Sequence, residues 1–412
     1  MLDRYYTAPT GMARLREGPL GTHIERFTDL LWKQGYSTLA AREKIRVVAA
    51  LSRWLNERRI RLADLDEKRC VDFVRQRGKR LRVRGGDRKA LRDLLTQLRE
   101  SGVVPTCAPR IENDALHRIT RTYVQYLVQE RGLRQATVEN YLKEVRRFLR
   151  AIFGARAIRF KRLRLPQITQ FIVHDTQTSS PRRVQLLVSA LRSFLRFLYQ
   201  RGEMALDLAA SVPSVADWRL AGLPKFLPSE QVESLLRGCD RSTCAGLRNY
   251  AILLLLARLG LRAGEVVHLE LDDINWATGT MVIRGKSARC DELPIPQDVG
   301  QALAAYLRHG RPQCASRKVF VRLRAPYQGF TTSAAICDVV RRALLRAGIR
   351  HRPAGAHLFR HSLATKMIRS GNSLAEIGEI LRHQLPSTTE IYTKIDLPAL
   401  RTLALPWPGG AS

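Results

Sequence analysis

The stretch of residues 357–394 places two histidines, an arginine and a tyrosine on closely spaced helical segments. His357 and Arg360 are three residues apart, so their side chains share one face of a helix. A capping box and an apolar stripe at helical spacing predict a second helix, which carries His383 at its end. Tyr392 follows about one turn into a further helical segment. The sequence therefore predicts a short hairpin of helices that gathers these four side chains in a small volume.

Two imidazoles, a guanidinium and a phenol are the side chains of a site for nucleophilic attack on a phosphate group. A phenol has a pKa of about 10 and is a weak nucleophile until a neighbour takes its proton. Arginine offers a planar, permanently charged fork that matches two phosphate oxygens. Histidine donates to a phosphate oxygen or moves a proton near neutral pH. Still required are a second arginine and an acid for the leaving oxygen.

Two upstream segments supply candidates for these groups. An apolar helix ends at Gly260, and Arg262 lies in the following turn with Glu265 just after it. Residues 278–296 predict two short strands joined by a turn. Lys286 lies at the tip of that hairpin, where a flexible ammonium group can reach a neighbouring site.

These motifs occur in the order LGLRAGE, the hairpin GK, HLFRH, LRH and TTEIYTK, and they resemble the tyrosine recombinase, or phage-integrase, family over roughly residues 223–400. The resemblance implies a mixed α/β catalytic domain that cuts and rejoins DNA. The residues that match the family's catalytic set are Arg262, Lys286, His357, Arg360, His383 and Tyr392.

The resemblance also implies a role for each matching residue. Arg262 and Arg360 clamp the phosphate, and Tyr392 attacks it to give a 3′-phosphotyrosyl link. Lys286 protonates the leaving 5′ oxygen, and His357 is the expected proton acceptor.

Further residues of the motifs are expected to support these groups. His383 joins the arginines in holding the non-bridging oxygens, and Glu265 and His361 are expected to orient the reacting residues without reacting. Arg382 stands where the family usually has glycine, and Asp291 stands where an arginine often lies. Together with the terminal PWPGG, these departures are similar to a transposon-associated branch of the family.

Two successive helical units are predicted before the catalytic domain, which spans residues 223–405. Residues 113–206 resemble the helical, SAM-like core-binding domain of the family, and residues 1–104 look like a duplicate of it or a diverged arm or oligomerisation module. Four positions pair between the units at offsets from 97 to 100: Gly35 with Gly132, Phe73 with Phe171, Leu95 with Leu195, and Gly102 with Gly202. Any two amphipathic four-helix units could align this well, so chance similarity is the alternative to duplication.

The charge of the chain indicates a polyanionic partner. Lys and Arg number 70 against 37 Asp and Glu, an excess of 33, in a chain with 45% hydrophobic residues. This balance favours a folded protein that binds double-stranded DNA. Basic runs in equivalent loops of the two helical units supply the candidate DNA contacts: Lys79, Arg80, Arg82, Arg84, Arg159, Lys161, Arg162 and Arg164.

Cysteine usage and hydropathy limit which cellular compartment and which cofactors are expected. Seven scattered cysteines without a CxxC pair support neither a disulfide framework nor a zinc site. There is no run as long as a membrane-spanning helix and no secretory signal sequence, so a prokaryotic cytoplasm is expected. The sequence contains neither a nucleotide-binding loop nor a carboxylate cluster suited to a metal. We therefore expect a reaction without metal or nucleotide cofactor.

The function predicted from these observations is site-specific DNA recombination for integration, excision or transposition of a mobile element. The helical units and the catalytic domain are expected to form a C-shaped clamp on duplex DNA. Four copies are expected to assemble there, with residues 397–408 of one subunit docking on the next, and partner recombinases are a further class of partner. The alternatives are a type IB topoisomerase-like strand relaxer and a non-catalytic DNA-binding relative.

Overall fold

A largely helical chain divides into two compact units in the computed structural model. One unit combines Met1–Thr106 with Gly222–Ser412, and the other is Cys107–Ala221. The N-terminal helices therefore share a unit with the C-terminal domain. The structure describes residues 2–79, 84–105, 115–154, 158–214, 225–285, 290–351, 354–383 and 385–395.

The N-terminal part of the first unit is helical, as its amphipathic pattern predicts. Its helices are α1 (Pro9–Leu15), α2 (Gly21–Lys33), α3 (Thr38–Glu57), α4 (Glu67–Gly78) and α5 (Gly85–Glu100). The side chains of Ser37 and Asp66 cap α3 and α4 by accepting backbone N–H hydrogen bonds. The apolar faces of the helices meet in one core around Ile24, Phe27 and Leu51.

The second unit contains a helical group with an aromatic core. Its helices are α6 (Ala115–Gln125), extended by a π-helical turn over Tyr126–Glu130, α7 (Gln135–Phe153), α8 (Leu165–Thr178) and α9 (Pro181–Gln200). Tyr123 packs against Phe194 and Phe197 at ring-centroid distances of 5.0 and 5.3 Å. These contacts join α6 to α9 across the core.

The helical pattern α2–α5 and the pattern α6–α9 share details beyond their order. Phe73 and Phe171 each pack edge-to-face on an aromatic ring of the preceding helix, at 5.8 and 5.3 Å. The four paired glycines all have positive φ: 77° and 58° at Gly35 and Gly132, 69° and 71° at Gly102 and Gly202. Helix ends that need glycine therefore recur at equivalent places in residues 1–104 and 113–206, which is what duplication would give.

The C-terminal domain is helical with one small sheet. Its helices are α10 (Ser229–Arg237), α11 (Cys244–Arg258), α12 (Ala263–His268), α13 (Gln297–Ala305), α14 (Ala334–Arg346), α15 (His357–Arg369) and α16 (Leu374–Ile380). Two 3₁₀ turns follow, Pro386–Thr388 and Glu390–Ile395. The predicted fold class, helical units followed by a mixed α/β catalytic domain, is confirmed.

The sheet contains the predicted hairpin and one further strand. Strands β1 (Ile274–Asn275), β2 (Thr280–Arg284) and β3 (Cys290–Pro294) pair antiparallel in the order β1-β2-β3. Ile283 lies opposite Asp291 in the β2–β3 register. Lys286, which the sequence places at the tip of this hairpin, lies outside the described residues.

Helix α11 forms the centre of this domain. Its six consecutive residues 251–256 are all buried, so the helix is apolar on every side and packs against several neighbours. Its end positions the turn that carries Arg262. In the part of the chain that the structure describes, no helix combines the length and apolar character needed to cross a membrane.

A contact between two loops ties the N-terminal helices to the C-terminal domain. The backbone N–H of Tyr327 donates to the carbonyl of Gln34 at 3.0 Å. The Tyr327 ring lies so close to Gly35 that an added Cβ there would be 2.3 Å from a ring carbon. Ala325 packs against the N-terminal core. The absence of a side chain at residue 35 therefore permits this docking.

Replacing Gly35 by alanine should destabilise the protein more than the same change at Gly102. Both glycines have positive φ, which in an L residue costs about 1–2 kcal/mol. At Gly102 an added Cβ meets no atom within 4 Å, whereas at Gly35 it also displaces the Tyr327 ring, a further cost of about 1–3 kcal/mol. Urea unfolding of both variants measures the difference. In a Tyr327→Ala background the difference should vanish, and equal losses in the wild-type background would contradict the docking.

Candidate active site

Four segments of the C-terminal domain bring four of the six predicted catalytic side chains together. Arg262 is the residue just before α12, and α15 carries Arg360 and His361. The turn after α16 carries His383, and the 3₁₀ turn Glu390–Ile395 carries Tyr392 and packs on α15. Sequence spacing predicted a helical hairpin here, and the structure gives a helix, a short helix and two 3₁₀ turns.

The carboxylate of Glu265 is buried among positive groups. Its Oε1 accepts a hydrogen bond from Arg262 Nη1, and its Oε2 accepts one from the Arg262 backbone N–H, each at 2.8 Å. Arg382 Nη2 also donates to Oε2, at 2.9 Å. Burial is the strongest influence and opposes ionisation, but the Arg382 charge and the hydrogen bonds from Arg262 together hold the pKa of Glu265 below its usual value. Glu265 is therefore an anion that fixes two arginines.

Arg360 is held by backbone carbonyls deep in the domain. Only 4% of the residue is exposed. Its Nη1 donates to the carbonyl of Gly260 at 2.6 Å, and its Nη2 donates to the carbonyl of Leu381. Burial, together with the charges of Arg262 and Arg382, lowers the pKa of Arg360 to about 10. The guanidinium is still charged at neutral pH, and its direction is fixed by the backbone.

Tyr392 is buried between two histidines. It is 2% exposed, and its hydroxyl oxygen lies 2.9 Å from His361 Nδ1 in a hydrogen bond. Its ring stacks on His383 at a centroid distance of 6.3 Å. Burial raises the pKa of Tyr392 to about 12, although the charges of Arg360 and Arg262 act in the opposite direction. The phenol is therefore protonated at neutral pH and needs an acceptor before it can act as a nucleophile.

Both histidines that contact Tyr392 are neutral at physiological pH. Burial lowers the pKa of His361 and of His383 to about 4, helped by His357 and Arg360 at His361 and by the nearby arginine charges at His383. His383 Nδ1 forms a hydrogen bond with the Thr389 hydroxyl at 2.7 Å. With its ring proton on Nε2, neutral His361 presents Nδ1 as an acceptor for the phenolic proton.

The structure places His361 in contact with the Tyr392 hydroxyl, closer than the sequence predicted. His357 was expected to accept the proton of Tyr392, but it is exposed, and its ring lies 6.4 Å from that of His361. His361 was expected only to support the site, yet it contacts the hydroxyl. A signal was available, because His361 lies four residues after His357 and on the same helix face.

The candidate DNA contacts lie on the surface where they are described. Lys79, Arg84, Arg159, Lys161, Arg162 and Arg164 are exposed. Arg84 pairs with Glu43, and Arg164 donates to the carbonyl of Lys161 at 2.9 Å. Arg80 and Arg82 lie outside the described residues. Within the described ranges, no group of three or more His, Cys, Asp and Glu side chains is arranged to hold a metal ion.

Lowering the pH from 7 to 5 should destabilise this site. The pKa of His361 and His383 in the folded protein is about 4, below the ordinary 6.5, so the unfolded chain binds more protons between these values. The free energy of unfolding is therefore complete above about pH 6.5 and falls as the pH drops towards 4. His361→Asn keeps a hydrogen-bond acceptor without titrating, so its unfolding midpoint should fall less than that of the wild type. Heat-unfolding scans at pH 7 and pH 5 measure both midpoints. An equal fall in the variant and in the wild type would contradict the lowered pKa of His361.

Comparison of the sequence with known proteins finds two matching family models and several relatives. Residues 225–397 match the model of the phage integrase family, and residues 121–202 match that of the phage integrase N-terminal SAM-like domain. The chain is 42% identical over 411 residues to the putative integrase/recombinase y4rA of Sinorhizobium fredii (strain NBRC 101917 / NGR234), covering 99% of both chains. It is 31% identical over 287 residues to tyrosine recombinase XerD of Listeria monocytogenes serotype 4b (strain F2365), covering 68% of this chain and 95% of XerD.

A solved structure shares the fold. The crystal structure of XerH site-specific recombinase bound to palindromic difH substrate, a post-cleavage complex, matches with a TM-score of 0.56 and 20% identity. The match covers 71% of this chain and 95% of XerH. The resemblance and the enzyme class predicted from the motifs are thus confirmed. Identity of 42% along nearly the whole of a relative shows that the chain belongs to the phage integrase family of tyrosine recombinases, enzymes of site-specific DNA recombination.

Proposed function

We propose that this recombinase cuts and rejoins duplex DNA through a covalent link between Tyr392 and a backbone phosphate, to move a mobile element. The observation that carries the proposal is the Tyr392 hydroxyl, hydrogen-bonded to the neutral imidazole of His361 in a pocket with two fixed arginines. A nucleophile, a proton acceptor and a cationic phosphate site are then in one place.

In the proposed step the Tyr392 oxygen forms a bond to phosphorus, and the bond from phosphorus to the 5′ oxygen breaks. The phenolic proton passes to an imidazole, with His361 in contact and His357 at the rim as the alternative acceptor. The departing oxygen takes a proton and becomes a free 5′ hydroxyl. The reverse step, with a 5′ hydroxyl from a partner duplex as nucleophile, rejoins the strand and restores the tyrosine. The phosphotyrosine conserves the bond energy, so the cycle is balanced without a further co-reactant.

Arg262 and Arg360 would stabilise the charge that builds on the non-bridging oxygens, with His383 beside them. Arg360 is already fixed by two backbone carbonyls, and Arg262 by Glu265, so little reorganisation is needed when charge develops. Preorganised positive charge of this kind is usually the largest single contribution to catalysis.

The acid and the assembly complete the proposal. Lys286 is assigned to protonate the 5′ oxygen by its match to the family's hairpin lysine and by its charge. Strand exchange joins two duplexes by four cuts, so a tetramer on double-stranded DNA is proposed, with residues 397–408 exchanged between subunits. The exposed cations of both helical units would contact the DNA backbone.

A topoisomerase-like strand relaxer and a non-catalytic DNA-binding relative are the alternatives. The relaxer would form the same adduct but would not join strands of different duplexes. The non-catalytic relative would form no adduct. Covalent capture of DNA would exclude the non-catalytic relative, and product junctions that join two duplexes would exclude the relaxer.

Tyr392→Phe should abolish covalent capture of DNA while leaving DNA binding intact, because it removes only the phenolic oxygen. Binding sequences are first selected from random duplexes, and nicked duplexes are then built on them with the nick at successive positions. Wild-type protein should give a denaturant-resistant protein–DNA band on gels. Tyr327→Phe is the matched control and should keep the band. An adduct that survives in Tyr392→Phe would assign the nucleophile to another tyrosine.

Lys286→Ala should be rescued by a sulfur leaving group. Departure of an alkoxide, whose conjugate acid has a pKa of about 15.7 like that of water, depends on an acid worth about 10²–10⁴ in rate. A thiolate, with a pKa of about 8.5 by analogy with cysteine, departs without a proton. Cleavage of a duplex with a bridging 5′ sulfur should therefore be nearly normal in Lys286→Ala. Arg262→Ala should stay inactive on both substrates, and rescue of the arginine variant would show that the acid is wrongly assigned.

A further inference from the structure

Arg382 occupies a backbone conformation that usually excludes side chains. Its φ is +55°, and it lies just after the end of α16. Its N–H donates to the carbonyl of Glu379 at 2.9 Å, and the N–H of His383 donates to that of Gly378 at 2.8 Å. These two bonds define a helix ending in which the left-handed residue is usually glycine. In an L residue this conformation costs about 1–2 kcal/mol.

Burial of the Arg382 side chain also costs free energy. The residue is 9% exposed, and its Nε has no hydrogen-bond partner among the residues that the structure describes. Burial removes the hydration of a charge, and an ion pair often fails to compensate for that loss. A glycine here would avoid the strain, the buried charge and the unsatisfied N–H. The conformation and the burial of this arginine therefore both cost free energy, and a retained backbone outlier points to function.

The contacts of Arg382 lead to Arg262. Arg382 Nη2 donates to Glu265 Oε2 at 2.9 Å, and the Arg262 backbone N–H donates to the same oxygen at 2.8 Å. Arg262 Nη1 donates to the other oxygen, and Arg262 Nη2 lies 3.4 Å from the carbonyl oxygen of Arg382. The two arginines are thus linked twice, through a shared carboxylate and through a backbone carbonyl.

We propose that Arg382 is a positioning residue that sets the direction of the Arg262 guanidinium through the carboxylate of Glu265. The inference rests on the proposed function, in which Arg262 neutralises the scissile phosphate. The Arg262 side chain is 37% exposed, so packing alone does not hold it. Without Arg382 the carboxylate loses one of its two cationic partners and can rotate with Arg262. A displacement of about 1 Å at a reacting group can lower a rate by about 100-fold.

Arg59 provides a matched control within the same chain. It follows the end of α3 with φ of +51°, its N–H donates to the carbonyl of Asn56, and the N–H of Ile60 donates to that of Leu55. The helix ending is therefore the same as that at Arg382. Its side chain is exposed, and the residue lies in the N-terminal helices. Arg59→Gly and Arg382→Gly remove the same backbone strain, but only Arg382→Gly removes the link to Glu265.

The experiment compares single-turnover cleavage and DNA affinity of the full-length variants, on the duplex that gives the wild-type adduct. Arg59→Gly should keep the cleavage rate within about twofold of wild type and raise the unfolding midpoint by about 2–4 °C. Arg382→Gly should slow cleavage about 10- to 100-fold while DNA affinity stays within about threefold. Unchanged cleavage by Arg382→Gly would overturn the inference.

A substrate with a neutral scissile group shows whether Arg382 acts through Arg262. A methylphosphonate at the scissile position replaces one charged oxygen by methyl, so orienting a cation towards it matters less. The ratio of variant to wild-type rate should rise towards one on this duplex for Arg382→Gly and for Arg262→Ala. An equal loss on both duplexes would mean a general disturbance of the site and would overturn the inference.

Glu265→Gln keeps the side-chain shape without the charge and tests the same link if Arg382→Gly does not fold. It should show the same selective loss on the charged phosphate, and equal loss on both duplexes would again overturn the inference. Absence of any adduct with the wild-type protein would instead contradict the proposed function, so the two failures are distinguishable.

Discussion

The buried carboxylate of Glu265 is the interaction on which the geometry of the site depends. It lies at the first turn of α12 and binds the side chain and the backbone N–H of Arg262 together with the side chain of Arg382. Three arginines in one small region would repel one another without an anion between them. The negative charge of Glu265 therefore reduces the repulsion among the arginines. The cluster keeps a net positive charge, which is available to bind a phosphate. The turn after α16 completes the arrangement, because its carbonyls accept from Arg360 and Arg262.

Burial also keeps Tyr392 and the two histidines that contact it neutral. Burial favours the protonated phenol of Tyr392 and the neutral imidazoles of His361 and His383. A neutral imidazole next to a neutral phenol is a competent acceptor and donor pair, but proton transfer between them creates two charges in a poorly hydrated place. A phosphate bound by the arginines would sit close to the imidazolium and stabilise it. In the proposed mechanism, substrate binding and activation of Tyr392 would thus be coupled through charge.

Local patterns in the sequence predicted the helices and the proximity of Arg262, Arg360, His383 and Tyr392. The i, i+3 relation of His357 and Arg360 and the apolar run of α11 needed no tertiary information. The contact of Tyr392 with His361 was missed, because it depends on how the 3₁₀ turn Glu390–Ile395 packs on α15. Arg382 was recognised as a departure from glycine, but its role required the backbone angle and the partner 117 residues away. The docking of Tyr327 on Gly35 joins two loops and has no periodic signal.

That docking has a consequence for how the chain can be divided. The family models match residues 121–202 and 225–397 and omit the N-terminal helices altogether. A fragment restricted to the matched residues would nevertheless leave the ring of Tyr327 and the side chain of Ala325 without the surface that covers them. The compact unit that contains the C-terminal domain is therefore larger than the segment that the family model matches there. In this chain the N-terminal helices belong to the same compact unit as the C-terminal domain. Shortening the protein to the residues that the family models match would therefore remove part of that unit.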